Sequence, residues 1–172
     1  NIKKDTIKSW VRRGISPSKL IPYVQHLLPQ SENEKSHFTY QLGIFARKYA
    51  TKKRDTRILA RTFSHEDARQ RFKSSIAFFP KILTIDKDNE QTVVQDWRYV
   101  KTLDYCFKEA EDHIKTDQQR LEFLRGFIDT SKINPHLESG KHFYQITIDE
   151  IKTRSILLGA LFELGIYGTE NG

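Results

Sequence analysis

The 172-residue sequence contains one cysteine, Cys106, and no methionine. A single cysteine excludes a disulfide within the chain, which favours a reducing, intracellular compartment. Because there is no methionine, we expect the sequence to be a processed piece or the ordered part of a longer protein. No stretch approaches the roughly 20 apolar residues of a membrane-spanning helix and no signal peptide is evident, so we expect no membrane partner.

The motifs of several enzyme classes are also missing. There is no glycine-rich phosphate loop and no arrangement of Ser, His and Asp typical of nucleophilic catalysis. His136 and His142 flank a turn, but they lack cysteine or carboxylate partners at the spacing of zinc ligands. His65, Glu66 and Asp67 are adjacent at the start of a predicted helix, where helix capping explains them better than a metal site. The residues therefore predict no cofactor and no metal.

Positive charge is concentrated in one stretch. The chain carries a formal net charge of +7, and ten basic residues stand against three acidic ones between Arg47 and Lys73. This stretch alone has an excess of seven positive charges, equal to that of the whole chain. A concentrated basic segment favours an acidic partner such as nucleic acid.

Two segments combine an apolar helical pattern with an internal glycine. Residues 121–132, LEFLRGFIDTSK, contain Gly126 within apolar positions at helical spacing. Residues 38–49, FTYQLGIFARKY, contain Gly43, followed by the small residue Ala46. A glycine inside a helix costs about 1 kcal/mol relative to alanine, so it usually marks a close approach of another backbone. The two glycines lie 83 positions apart.

The run FLRGFID resembles the signature helix of the LAGLIDADG homing endonucleases. The spacing of the two glycines is similar to the repeat length of the single-chain, two-half members, and the resemblance covers about residues 38–172. It implies that two helices cross at their small residues and that each delivers one acid to paired metal-dependent sites. It also implies an α+β fold, with a pseudo-two-fold core of αββαββα halves.

The resemblance fails at the catalytic positions. Aligned on the glycines, the catalytic acid of the family falls five residues after each one, at Lys48 and Ser131. Asp129 matches an earlier aspartate of the motif, which in the family is mainly structural. Metal-dependent hydrolysis needs carboxylates, whereas a lysine repels a cation and a serine is a poor ligand alone. The sequence therefore predicts a scaffold without catalytic residues, needing Mg²⁺ only if it is a nuclease after all.

The order of predicted elements divides the chain into three parts. We expect a helical N-terminal segment over residues 1–30, similar to the end of a helix-turn-helix or a structural helix pair, and a polar linker over residues 30–36. Residues 37–120 would form the first LAGLIDADG-like half. Residues 121–172 would form the second, which stops before its last expected pair of strands. Predicted strands cover residues 56–63, 81–86, 91–99, 133–137 and 141–149, and further helices cover residues 64–79, 100–114 and 150–164.

Strand alternation predicts which polar side chains face away from the helices. In residues 141–149 we expect Tyr144, Ile146 and Ile148 on the buried side. The alternate residues from Lys141 to Thr147, with Phe143 among them, would lie on the open side. Lysine and arginine contact phosphates, while glutamine and threonine hydrogen-bond base edges in a major groove wide enough for a β-ribbon. The predicted nucleic-acid-binding residues are Lys52, Lys53, Arg54, Arg57, Arg61, Gln91, Gln95, Lys141, Gln145 and Thr147.

The leading hypothesis is double-stranded DNA binding without cleavage, in a regulatory role, by an intracellular monomer with internal pseudo-symmetry. Bacterial sporulation regulators with a degenerate LAGLIDADG domain and a helix-turn-helix are similar in this respect. One alternative is an active intein- or intron-encoded endonuclease that uses Asp129, Asp55 or Asp86. Another is an RNA-binding splicing helper, or maturase. A protein–protein interaction module is the third.

Overall fold

The computed structural model describes residues 28–49, 59–63, 65–77, 84–87, 91–94, 97–131, 134–138, 141–148 and 150–167. Six helices lie in this part of the chain. They are α1 (Glu32–Tyr49), α2 (Glu66–Ala77), α3 (Trp97–Lys108), α4 (Ala110–His113), α5 (Asp117–Asp129) and α6 (Ile151–Glu163). The predicted N-terminal helical segment, residues 1–30, lies outside the described residues except for positions 28–30, which are not helical. None of the helices just named is long and apolar enough to cross a membrane.

Short strands pair between the helices. They are β1 (Leu59–Thr62), β2 (Thr84–Lys87), β3 (Gln91–Val94), β4 (Asn134–Glu138) and β5 (Lys141–Gln145). The first three form an antiparallel sheet in the order β1-β3-β2, in which Val94 lies opposite both Leu59 and Thr84. β4 and β5 form a separate antiparallel pair, with Asn134 opposite Gln145.

The predicted α+β fold class is wrong, because the protein is mostly helical. Helices make up 76% of the residues whose side chains the structure describes, and no sheet forms the core of this part of the chain. The paired strands are only four or five residues long.

The core is helical because the middle of α1 is buried on every side. Nine consecutive residues, Phe38 to Ala46, are buried. A helix surrounded on every side needs several neighbours, and α1 contacts α5, α2, α3 and α6. These helices bury its faces, where the prediction had a sheet. The largest fully buried side chains are Tyr40, Tyr99, Phe38, Phe72, Phe107, Phe123, Phe127, Leu42, Ile44, Leu103 and Gln41.

Both glycine helices, α1 and α5, begin with reciprocal caps. The Ser31 hydroxyl accepts the Glu34 amide at 3.2 Å, and the Glu34 carboxylate accepts the amides of Ser31 at 3.2 Å and Gln30 at 2.7 Å. At α5, Thr116 and Gln119 exchange equivalent bonds, at 3.2 Å and 3.1 Å. Each pair satisfies amides that have no partner within the helix. The polar linker predicted over residues 30–36 is therefore wrong, because its Ser31 and Glu34 start a helix.

Candidate functional site

Gly43 lies where α1 touches the backbone of α5. A Cβ atom at this position would collide with the carbonyl oxygen of Phe123 and would lie 2.8 Å from the amide nitrogen of Phe127. Real Cβ atoms essentially never come within 3.0 Å of another backbone. The absence of a side chain at Gly43 is thus what lets the two helices approach this closely.

Gly126 makes the reciprocal contact from α5. A Cβ atom here would collide with the carbonyl oxygen of Tyr40 and would lie 3.1 Å from the amide nitrogen of Ile44. Each glycine therefore meets the carbonyl three residues before the other glycine and the amide one residue after it. This correspondence relates α1 and α5 by a local two-fold operation centred on Gly43 and Gly126.

A polar cluster lies beside the crossing. Asp129, at the end of α5, accepts the Tyr40 hydroxyl at 2.7 Å. The Arg71 guanidinium on α2 donates to both carboxylate oxygens of Asp129, from Nε at 3.1 Å and Nη2 at 3.2 Å. The Asp129 side chain is only 12% exposed. One carboxylate thus joins α1, α2 and α5, and Ala46, at the corresponding position of α1, is a buried small residue without such a group.

The electrostatics of this cluster follow from burial and from the carboxylate. Burial raises the pKa of Tyr40, and the hydrogen bond to Asp129 raises it further. The hydrogen bond to Asp129 also raises the pKa of Arg71. Tyr40 is therefore a neutral donor and Arg71 a fixed cation, and both bond to the Asp129 carboxylate.

The two catalytic positions implied by the resemblance differ from each other. The Ser131 hydroxyl is buried, with 8% of the residue exposed, and donates to the carbonyl oxygen of Phe127 at 2.6 Å. This hydroxyl is therefore engaged by the last turn of α5. Lys48 lies in α1, but its side chain is outside what the structure describes. Nearby, Arg47 donates to the carbonyl oxygen of Thr147 at 3.0 Å and lies 6.0 Å above the Phe127 ring.

The described residues hold no other obvious reactive centre. They contain no group of three or more His, Cys, Asp and Glu side chains that could bind a metal ion. Cys106 is buried, and burial raises the pKa of its thiol to about 12, which keeps it from acting as a nucleophile. Burial also lowers the pKa of His113 at the end of α4.

The predicted nucleic-acid-binding residues are only partly placed. Arg61 lies in β1 opposite Thr92, and Gln91 is the first residue of β3 in the same sheet. Lys141 and Gln145 are the first and last residues of β5, in the separate two-stranded sheet. The side chains of these four residues are not described, and Lys52, Lys53, Arg54, Arg57 and Gln95 lie wholly outside the described ranges.

Thr147 is the one predicted contact whose side chain is described. It is exposed just after β5, while its neighbours Ile146 and Ile148 are partly buried against the core. This matches the predicted alternation at these three positions. The structure thus places Thr147 next to Arg47, and so near the C-terminal end of α1.

The sequence patterns did not predict the partners of Asp129, nor the buried hydrogen bond between Gln41 and Ser75. Tyr40 and Arg71 lie 89 and 58 positions from Asp129. The Gln41 amide, buried in α1, donates to the carbonyl oxygen of Ser75 in α2 at 2.8 Å, across 34 positions. No local pattern signals pairs this far apart.

Comparisons of the chain with protein-family models, curated proteins and solved structures found no match.

Proposed function

We propose that the protein binds double-stranded DNA and does not cut it. The observation that carries this proposal is the reciprocal contact of Gly43 and Gly126, which is the kind of helix crossing that the resemblance to the LAGLIDADG family implies. The proposal concerns this helix pair and the basic residues that follow α1 in the sequence. It does not depend on the α+β core that the structure overturns.

The chemistry of the catalytic positions supports binding over cleavage. The Ser131 hydroxyl is already bonded to the Phe127 carbonyl, and a lysine at position 48 would repel a cation. Asp129 would have to break its contacts with Tyr40 and Arg71 before it could reach a scissile phosphate. An active endonuclease that uses Asp129 is therefore the weaker alternative.

The charge distribution supports a phosphate-rich partner. The ten basic residues of positions 47–73 begin near the end of α1, run through β1 and end in α2. Phosphate contacts by such residues release condensed counterions from DNA, so the affinity should fall steeply as salt is raised. Base-edge contacts from Gln145 and Thr147 would add sequence preference.

The first test is fluorescence anisotropy with a random-sequence DNA duplex at several salt concentrations in the presence of Mg²⁺. The same samples are then run on a denaturing gel. We expect salt-sensitive binding and intact DNA. Cleaved DNA would overturn the claim that the catalytic positions are lost, and no binding at low salt would overturn the DNA proposal as a whole.

Two triple variants with equal charge change localise the contact. Lys52, Lys53 and Arg54 are replaced by glutamine in one, and the exposed Lys108, Lys115 and Arg125 in the other. Because each phosphate contact contributes about −0.9 to the logarithmic salt slope, the first variant should make the slope shallower by about 2 to 3. The second should leave it unchanged. Stronger binding to a structured intron RNA than to the duplex would favour the maturase alternative.

A further inference from the structure

Helix α6 is apolar on two opposite faces. Its inner face packs on the core through Thr153, Leu157 and Ala160, all of which are buried. On the outer face, Ile151 is 72% exposed and Phe162 is 68% exposed. A helix that is apolar on both sides is normally covered on both sides.

The outer face of α6 is formed by four residues at helical spacing. Ile151, Ser155, Leu158 and Phe162 follow one another at spacings of four, three and four, which places them along one side of the helix. Ser155 is exposed and Leu158 is partly exposed. Gly159 adjoins this row, and a Cβ atom there would meet nothing within 4 Å. Large apolar side chains thus stand at both ends, with small residues near the middle.

Helix α2 provides an internal comparison. It follows the first glycine helix as α6 follows the second, and it buries Ala68, Phe72 and Ser75 at the same spacing as Thr153, Leu157 and Ala160. Its opposite face, in contrast, is formed by Glu66, Gln70, Lys73 and Ala77. Two helices in corresponding positions therefore present a polar and an apolar outer face.

The apolar surface extends past the end of α6. Tyr167 is 84% exposed and its ring stacks edge-to-face on Phe162, with centroids 6.5 Å apart, and Ile166 is also exposed. An aromatic side chain buries about 150–250 Å², so the exposed parts of Phe162 and Tyr167, together with those of Ile151 and Ile166, offer on the order of 500 Å². Two such surfaces facing each other approach the roughly 1,000 Å² that a specific interface needs.

We propose that the outer face of α6 is covered by the same face of a second copy of this chain. In a two-fold contact, each residue of α6 meets a residue of the partner helix running in the opposite direction. With the axis between residues 156 and 157, Ile151 meets Phe162 of the partner subunit, and Leu158 meets the partner's Ser155. The sequence of the face is thus complementary to itself, with large residues against large ones at the ends and large against small in the middle.

Sedimentation equilibrium of the full chain tests this proposal. We expect the wild-type protein to shift from monomer to dimer as its concentration is raised through the micromolar range. Phe162→Glu should weaken the dimer at least tenfold, because it places a charge at a buried apolar contact. Ala77→Glu, at the end of the polar outer face of α2, is the matched control and should dimerise like wild type. Circular dichroism checks that each variant is folded.

A second pair of variants tests the two-fold arrangement. Ile151→Lys alone should weaken the dimer, but the double variant Ile151→Lys with Phe162→Glu should regain it, because each lysine would then meet a glutamate of the partner subunit. Recovery in the double variant supports the proposal. A wild-type protein that stays monomeric, a Phe162→Glu variant that still dimerises, or a double variant that stays monomeric overturns it.

Discussion

Helices α1 and α5 have the same backbone crossing but different side chains around it. Gly43 and Gly126 make matching contacts, whereas the positions three residues before the glycines hold Tyr40 and Phe123. Three residues after the glycines, α1 has the buried Ala46 and α5 has Asp129. The close approach of two backbones tolerates no substitution, because only glycine fits. The polar cluster needs one carboxylate, and a single one on α5 is enough to join three helices.

This comparison indicates which features depend on symmetry. The two glycines act on each other and are expected to be equally sensitive to substitution. Asp129 acts on Tyr40 and Arg71, and α5 has no tyrosine at the position that would serve a carboxylate on α1. The predictions below test these two classes of position, beginning with the largest expected effect.

The largest effect is expected when the polar residue of α5 is copied onto α1. Ala46→Asp should lower the free energy of unfolding by about 4 kcal/mol, because it buries a carboxylate at the position of α1 that corresponds to Asp129, where α5 has Phe123 in place of the tyrosine and so offers no hydroxyl. Urea denaturation followed by circular dichroism measures the change. Ala77→Asp, at an exposed site of α2, is the control and should cost less than about 1 kcal/mol. A cost at Ala46 as small as that of the control would show that the site is open to water.

The glycine crossing should be the next most sensitive feature. Gly43→Ala and Gly126→Ala should each destabilise the protein by about 3 kcal/mol, since the new methyl group collides with a backbone carbonyl that cannot move aside. The same measurement on Gly159→Ala gives the control. At that open helical site alanine should stabilise the monomer by up to about 1 kcal/mol. If Gly126→Ala also stabilised the protein, the close crossing would be wrong.

Removal of the carboxylate from α5 should have a smaller effect. Asp129→Ala should cost about 2 kcal/mol, because it leaves the buried Tyr40 hydroxyl with only its longer bond to the carbonyl oxygen of Ala68, at 3.3 Å, while Arg71 can turn to solvent. Combined with Tyr40→Phe in a double-mutant cycle, it should give a coupling energy of about 1 kcal/mol. Additive effects would contradict a direct interaction between the two side chains.

The smallest effect concerns the pH dependence of stability. The pKa of Tyr40 is raised in the folded protein, so above about pH 10 the unfolded chain loses a proton that the folded protein keeps. Stability is therefore fully present below that pH and falls above it. Tyr40→Phe should reduce the slope by about 1.4 kcal/mol per pH unit. Burial also raises the pKa of Tyr99, so a slope should remain in the variant.

Local sequence patterns predicted the structural features that depend on residues close together in the chain. The position of Gly126 in an apolar helical run was sufficient to predict a close backbone approach, and the structure places Gly43 against it. Local patterns were insufficient where one helix is buried by several others. The α+β prediction followed from the order of apolar segments and from the resemblance, and neither shows that α2, α3 and α6 would enclose α1 alongside α5.

The linker prediction was wrong for a more local reason. Residues 30–36 are polar, which is typical of loops, but Ser31 and Glu34 have the spacing of a capping box. This spacing indicates a helix start, whereas the low hydrophobicity of the same residues suggested a linker. The predicted DNA contacts still depend on sequence, through strand alternation for most of them and through the basic run for Lys52, Lys53 and Arg54. Thr147 is the one among them whose side chain is described.

The sequence by itself determined that the chain has a single cysteine and that its positive charge is concentrated in one stretch. It also determined the two glycine helices and the capping residues at their starts. These features depend on composition or on residues three to eight positions apart. Tertiary structure alone decided which partners Asp129 has, where the Ser131 hydroxyl donates and which face of α6 stays open. Those contacts join residues that are distant in the chain or require a neighbouring helix to cover one face, and packing of the whole core sets both.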